Sequence, residues 1–509
     1  MARKILSAVA AAVLVATLAP PATAAASPAS PAGRTPALRW GACPPEQPGV
    51  PRDPRQECAT LAVPLDYRHP RGRTIEVHVS RLRTAKPALR RGILMLDSGG
   101  PGDTGLDFAS VLGALMPAAV RDRYDIIAFD PRGVDYSGAL TCQLTEEIPP
   151  ELADRYPEPD GSIERNVAVA REIARLCGEH GGDTMPHITT ANTARDMDLI
   201  RAALGERRMS YLGYSNGTYL GAVYRTLFPH RLDRVVLDSA IDPRRFGYGQ
   251  FRLIGIGAQL RLPDFTRWAA GHDDTYHLGA TPAAVRATFD RLTARLDAEP
   301  LTLPDGSRFS GNLLRANTYA GIYHDAGFPG LAQLWQAVAA AVAPAAGRAN
   351  RSAPVLADVV AEIPPDNQPA VQLAIYCNDG EWPRAIATHR RNVAVDMVRF
   401  PETAGSGANI TPCPFWPFPK LERSVRVTGG GPRNTLIVQN LRDPATPWVG
   451  SLGLRRVLGS AAATVDIDQG GHGAYLLTAS ACANDTVTAF LAFGVLPRYR
   501  LCPGQAPPE

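Results

Sequence analysis

No two cysteines stand as C-x-x-C, and no histidines cluster with cysteines, so the ligand spacing of a zinc site is missing. Neither sign of charge dominates. The net charge is only +4 over 509 residues, which gives no ground for nucleic acid or a membrane surface as partner. No internal repeat is visible. Past the first 26 residues, no stretch is apolar for long enough to span a bilayer. These absences leave a globular, exported chain with no metal and no cofactor expected. The hydrophobic share of 45% and charged share of 20% are ordinary for such a chain. Its length predicts about two to three domain-sized units. The 46 prolines and 46 glycines predict many turns.

Residues 1–26 have the layout of a signal peptide. Arg3 and Lys4 precede an apolar run from Ile5 to Leu18, Pro20 and Pro21 break it, and an A-x-A site follows at 22–24 or 24–26. No cysteine follows the run, so a lipid anchor is not supported. The expected product is secreted and extracellular. Residues 27–38, rich in Pro, Ala and Ser, read as a flexible linker. The cysteine count fits export, since an even number in an oxidising compartment suggests disulfides. Neighbours along the chain suggest the pairs Cys43–Cys58, Cys142–Cys177, Cys377–Cys413 and Cys482–Cys502.

From residue 39 to 242 the pattern is strand and helix in alternation. Leu61–Leu65 and Thr74–Leu82 read as strands, the second alternating enough for a half-buried antiparallel edge. Gly92–Leu96, Tyr124–Phe129, Met209–Leu212 and Arg234–Leu237 are short apolar runs of the kind buried on both faces of a parallel sheet. Between them a helix is predicted over Glu164–Cys177. Another is predicted over Thr193–Leu204, with Thr193 and Asp196 as a capping box. Asp130 reads as a turn residue tied to Arg132 or local backbone. From 243 to 430 strand runs are scarce and helices are predicted, one opening at Thr281-Pro282 and another over Leu331–Val342. The alternation resumes over 431–509, with strands at Thr435–Gln439 and Thr464–Ile467 and a closing helix near Thr486–Phe493. The predicted class is therefore α/β: a doubly wound, mostly parallel sheet with a large helical cap inserted before the strand that precedes Asp443.

Gly213-Tyr214-Ser215-Asn216-Gly217 is a G-x-S-x-G pentapeptide between a predicted strand and a predicted helix. There the pattern reads as a nucleophile elbow, which pushes a serine hydroxyl out of the sheet on a strained turn. Serine needs a base to take its proton and an acid to orient that base. Asp443 and His472 follow in that order, each in the loop after a strand. Asp466 and Asp468 rival Asp443 but lie in or beside the last strand. The glycine cluster Asp97-Ser98-Gly99-Gly100-Pro101-Gly102 follows another strand. It offers the Gly100 N–H to pair with that of Asn216 in an oxyanion hole.

The segments DSGGPGDTG, YDIIAFDPRGVDYSG, YLGYSNGTYLGAVY, VVLDSAIDP, AIYCND, NLRDPATP and GGHG together resemble the secreted bacterial tripeptidyl aminopeptidases. These are α/β-hydrolases related to prolyl iminopeptidases. The resemblance runs from about residue 40 to the C-terminus. It implies a serine exopeptidase acting on peptides with a free N-terminus, with Ser215 as nucleophile, His472 as base and Asp443 as acid. Asp97-Ser98 stands where that family often has Asn-Pro, and Asn216 where it often has an aromatic. The substrate ammonium needs a carboxylate. Asp379 and Glu381 are candidates, balanced against their reading as ordinary surface acids. A monomer is expected. The rival readings are a carboxylesterase with the same triad and a non-catalytic binding protein on the same scaffold.

Overall fold

The computed structural model describes residues 38–46, 49–144, 155–304, 306–342 and 365–505. The signal peptide and all of the linker except Leu38 fall outside them. In chain order the strands are β1 (Glu57–Pro64), β2 (Thr74–Leu82), β3 (Gly92–Asp97), β4 (Tyr124–Phe129), β5 (Met209–Tyr214), β6 (Leu232–Asp238), β7 (Leu301–Thr302), β8 (Arg308–Phe309), β9 (Thr435–Arg442), β10 (Ala462–Gly470) and β11 (Tyr499–Pro503). Nine of them form one sheet in the order β1-β2-β4-β3-β5-β6-β9-β10-β11. All neighbours from β4 to β11 are parallel, and β2 alone runs against the rest, pairing antiparallel with β1 on one side and β4 on the other.

The sheet is buried on both faces because its central strands carry apolar side chains at odd and even positions alike. Ile93 and Met95 of β3, Tyr211 of β5 and Ile437 of β9 enter one core. Leu94, Leu96, Leu212, Leu436 and Val438 enter the other. The register aligns the carboxyl ends of the central strands. Asp97 lies beside Gly213, Tyr214 beside Asp238, and Asp238 beside Val438.

The stretch between β6 and β9 is mainly helical. It includes helices Leu253–Gly271, Pro282–Ala298, Gly311–Gly321, Phe328–Val342, Asn367–Asp379 and Ile386–Arg399. Thr281 caps the second of these, its side chain accepting from the Ala284 N–H, and Val285, Phe289, Leu292 and Leu296 are buried as their spacing predicts. They share a separate core with Phe265, Phe328 and Trp335. Helix Asn367–Asp379 does not. Its Ala370, Val371, Ala374 and Ile375 pack into the core of the sheet.

Several expectations are corrected. β2 is antiparallel but not an edge, because β1 covers its far side. The last strand is β11, which pairs with β10. It escapes sequence reading because Tyr499, Arg500 and Leu501 are all exposed. The helix predicted from Thr193 spans Thr190–Ala203, and its cap is Thr189, whose side chain accepts from the Asn192 N–H. The four cysteine pairs join as neighbours in sequence, closing separations of 15, 35, 36 and 20 residues. By loop entropy each stabilises by about 3–4 kcal/mol.

Asp196 is not a capping residue. It is fully buried against Arg132, with Nη2 to Oδ1 at 2.6 Å and Nε to Oδ2 at 2.7 Å, and it also accepts from the Tyr67 hydroxyl at 2.6 Å. Arg132 donates further to the Leu65 carbonyl, so the guanidinium staples the end of β1 to helix Thr190–Ala203. Asp130 accepts instead from the N–H groups of Gly105 and Leu106. A buried ion pair that loses one partner leaves the other charge uncompensated. Arg132→Met is therefore expected to lower stability by about 3–5 kcal/mol, measured by denaturant unfolding. An effect within about 0.5 kcal/mol, the scale of an ordinary surface site, would contradict this account.

Candidate active site

Ser215 lies between the end of β5 and helix Asn216–Leu227, at φ 52° and ψ −120°. This is the strained turn of an elbow. Both flanking glycines are required by space. A Cβ on Gly213 would sit 2.5 Å from the Tyr211 hydroxyl oxygen and 2.7 Å from the Gly217 carbonyl, and one on Gly217 would sit 2.5 Å from Asp97 Oδ1. The Tyr211 hydroxyl donates to the Gly217 carbonyl at 2.8 Å. The Ser215 N–H donates to the Asp238 carbonyl at 2.9 Å.

Asp443 follows β9 and is completely buried. One of its oxygens accepts from the N–H groups of Ala445 and Thr446 at 2.8 and 2.9 Å, and the other from the Thr446 hydroxyl at 2.9 Å. His472, in the loop after β10, brings Nδ1 to 3.0 and 2.9 Å from the two carboxylate oxygens. Burial alone would push the imidazole pKa down, but the carboxylates of Asp443, Asp238 and Asp103 together outweigh it, and the net shift is upward. The contact assigns the Nδ1 proton to the Asp443 side and leaves Nε2 as the ring's free acceptor. The imidazole loop is held from three directions. The Asn440 amide donates to the carbonyls of Gly471 and Gly473 at 2.9 and 3.0 Å. Asp238 accepts from the N–H groups of Ala474 and Tyr475 at 2.9 and 2.7 Å, and Ser239 Oγ accepts from Gly473 N–H at 2.9 Å. From the helical insert, the Tyr323 carbonyl accepts the His472 N–H at 2.9 Å.

The glycine loop after β3 closes over the elbow. A Cβ on Gly99 would lie 3.0 Å from Ser215 Cβ and 3.2 Å from the Asn216 nitrogen. Gly100 has φ 93°. A Cβ there would meet the Asp103 carboxylate at 2.8 Å. Asp97, beneath this loop, is buried, and burial together with the Asp103 charge pushes its carboxyl pKa up to about 7. Asp103 itself is only partly buried and accepts from the Gln368 amide at 2.5 Å. Burial pushes its pKa up, while Gln368 and the imidazole of His472 act against that.

A profile described as the alpha/beta hydrolase fold matches residues 93–479. The tripeptidyl aminopeptidase of Streptomyces lividans is 35% identical over 447 residues, which cover 86% of this chain and 82% of that protein. The chain belongs to the tripeptidyl aminopeptidase family of α/β-hydrolases. The serine protease Hip1 of Mycobacterium tuberculosis is 28% identical over 496 residues, 90% of this chain and 89% of that one. Carboxylesterase B of the same organism is 27% identical over 510 residues, 94% of each.

The other sequence candidates have other partners. Asp379 is buried, and its Oδ2 accepts from Thr190 N–H at 2.6 Å, at the start of helix Thr190–Ala203. Burial pushes its pKa up to about 6. Glu381 is exposed and pairs with Lys420 at 3.2 Å. Asp468 pairs with Arg442, and Asp466 is buried within β10. Among the described residues, none of these four bonds to Ser215, Asp443 or His472. No group of His, Cys, Asp or Glu among those residues could hold a metal ion. Sequence reasoning missed Asp238, Asn440, Thr446 and Asp103. An acid inside a glycine-rich loop was the one available signal, and it pointed to Asp103.

The Asp97 pKa carries a pH dependence of known sign. An unfolded aspartate titrates near 3.9, whereas folded Asp97 titrates at about 7. Between those values the folded chain keeps a proton that the unfolded chain has lost, so the Asp97 contribution to stability falls as pH rises. Asn has no such titration. Asp97→Asn is therefore expected to gain in melting temperature over the native protein as pH goes from about 4 to about 7, and to level off above. A melting-temperature difference that is flat with pH would refute it.

Proposed function

We propose that this chain is a secreted serine exopeptidase that releases short peptides, tripeptides first among them, from free N-termini. The observation that carries the reading is His472, with Nδ1 on both oxygens of Asp443, in a loop tied through Asp238 to the elbow of Ser215. The disulfides fit export, and no described helix is long and apolar enough to cross a membrane. The relatives named tripeptidyl aminopeptidase and serine protease support the peptidase class.

In this reading His472 Nε2 takes the Ser215 proton, and Ser215 Oγ attacks the scissile carbonyl. The N–H groups of Asn216 and Gly100 receive the oxyanion, with the start of helix Asn216–Leu227 adding its positive end. His472 then passes the proton to the leaving amine, and an acyl-enzyme remains. Water repeats the sequence and frees the acyl product. Asp443 keeps the imidazole in one tautomer and stabilises the imidazolium. The helical insert acts as a cap, and its Tyr323 reaches the His472 backbone directly.

A carboxylesterase is the second reading, favoured by the similarity to carboxylesterase B. Hydrolysis of free and N-acetylated peptides, set against simple aryl esters, separates the two. The peptidase reading expects efficient cleavage of free-amine peptides, with product masses reporting the length released. Strong ester turnover with no peptide cleavage would overturn it. A fluorophosphonate probe is expected to label the enzyme and fail to label Ser215→Ala. Asp443→Asn is expected to lower kcat by about ten-thousandfold, because it holds the wrong tautomer. Turnover within about tenfold of native would remove Asp443 from the acid role.

A further inference from the structure

Two carboxylates besides Asp443 influence His472 most, Asp238 and Asp103. Asp238 is wholly buried and spends its oxygens on backbone N–H groups. Asp103 is different in every respect. It is partly exposed, and its hydrogen-bond partner is a neutral amide, Gln368 on helix Asn367–Asp379 of the insert. Among the described residues no arginine or lysine pairs with it. Its carboxylate folds back over Gly100, one of the two residues assigned to the oxyanion.

Such a carboxylate cannot be neutral in its effect on catalysis. A negative charge beside the oxyanion hole opposes the charge that develops there, unless a cation stands with it. The surroundings suit a cation. Tyr323 stacks edge-on against His472 with ring centres 5.1 Å apart. Burial raises the hydroxyl pKa values of both Tyr323 and Tyr376; the Asp103 charge adds to each, and at Tyr376 the Arg155 cation acts against it. Carboxylate and aromatic faces together are the usual receptor for an ammonium.

We propose that Asp103, oriented by Gln368, pairs with the free ammonium of the substrate and so makes the site select against N-blocked and uncharged substrates. This rests on the peptidase reading, and it gives Asp103 the role first sought at Asp379 and Glu381. The residue acts twice. It attracts the cationic substrate, and it penalises the oxyanion of a neutral one.

The test compares matched free-amine and N-acetylated substrates, each as an anilide and as an aryl ester, for native enzyme, Asp103→Asn, Asp103→Ser and Asp103→Glu. Fluorophosphonate labelling normalises for folded enzyme. The ratio of kcat/KM for free over acetylated substrate is expected to fall about ten- to a hundredfold in the Asn and Ser variants, the scale of a charged hydrogen bond. The Glu variant is expected to keep part of that ratio. An equal fall on both substrates, or an unchanged ratio, would overturn the proposal. Esters cleaved where anilides are not would defeat the peptidase reading alone, since the Asp103 ratio is still read on the esters.

Discussion

Asp238 stands at the carboxyl end of β6 with both oxygens committed to the N–H groups of Ala474 and Tyr475, and its carbonyl takes the N–H of Ser215. One residue thus fixes the spacing between the Ser215 turn and the loop that carries His472. Burial pushes its carboxyl pKa up to about 7, against the pull of those hydrogen bonds. The cost is tolerated because no surface group could set two loops from different strands in one register. The rest follows from that constraint. β5 and β6 must be neighbours, β9 and β10 must follow on the same side, and the helical insert must leave the chain between β6 and β9 without disturbing either end.

The strands around the elbow were legible because each is a short apolar run that both faces of the sheet bury. The order of Ser215, Asp443 and His472 was legible because each follows such a run. What stayed hidden depends on partners far away in sequence. Asp238 meets amides 236 and 237 residues downstream. Asp196 looks like a helix-start acid until Arg132 is folded against it. β11 carries an exposed face, so its periodicity is not that of a buried strand, and only its pairing with β10 and the Cys482–Cys502 bridge reveal it. Thr189 caps its helix, four residues before Thr193, because the Asp379 carboxylate receives the first N–H and leaves the next turn to the threonine.

Acidic groups gather around the Ser215 turn more than a hydrolase needs. Asp97 and Asp238 lie under the elbow, Asp443 beside the imidazole, and Asp103 at the edge of the glycine loop. Asp443 and Asp238 each accept several hydrogen bonds, although burial still pushes the Asp238 carboxyl pKa up to about 7. Asp97 receives little beyond the N–H of Gly99, so it is held close to neutral by its surroundings. A neutral Asp97 is close in shape and charge to an asparagine, and the elbow can accommodate it for that reason.

Burial pushes the Asp103 pKa up as well, but Asp103 is only partly buried, and both the Gln368 amide and His472 favour its charged form. Its charge would work against an oxyanion formed over Gly100. A site that keeps such a charge gains only if its substrates bring a compensating cation. A free N-terminus is the cation that every unblocked peptide carries, whatever its side chains. On the proposal made for Asp103, an elbow shared with esterases would favour substrates with a free amine: the discrimination would lie in one carboxylate on the glycine loop and in the insert helix whose Gln368 aims it.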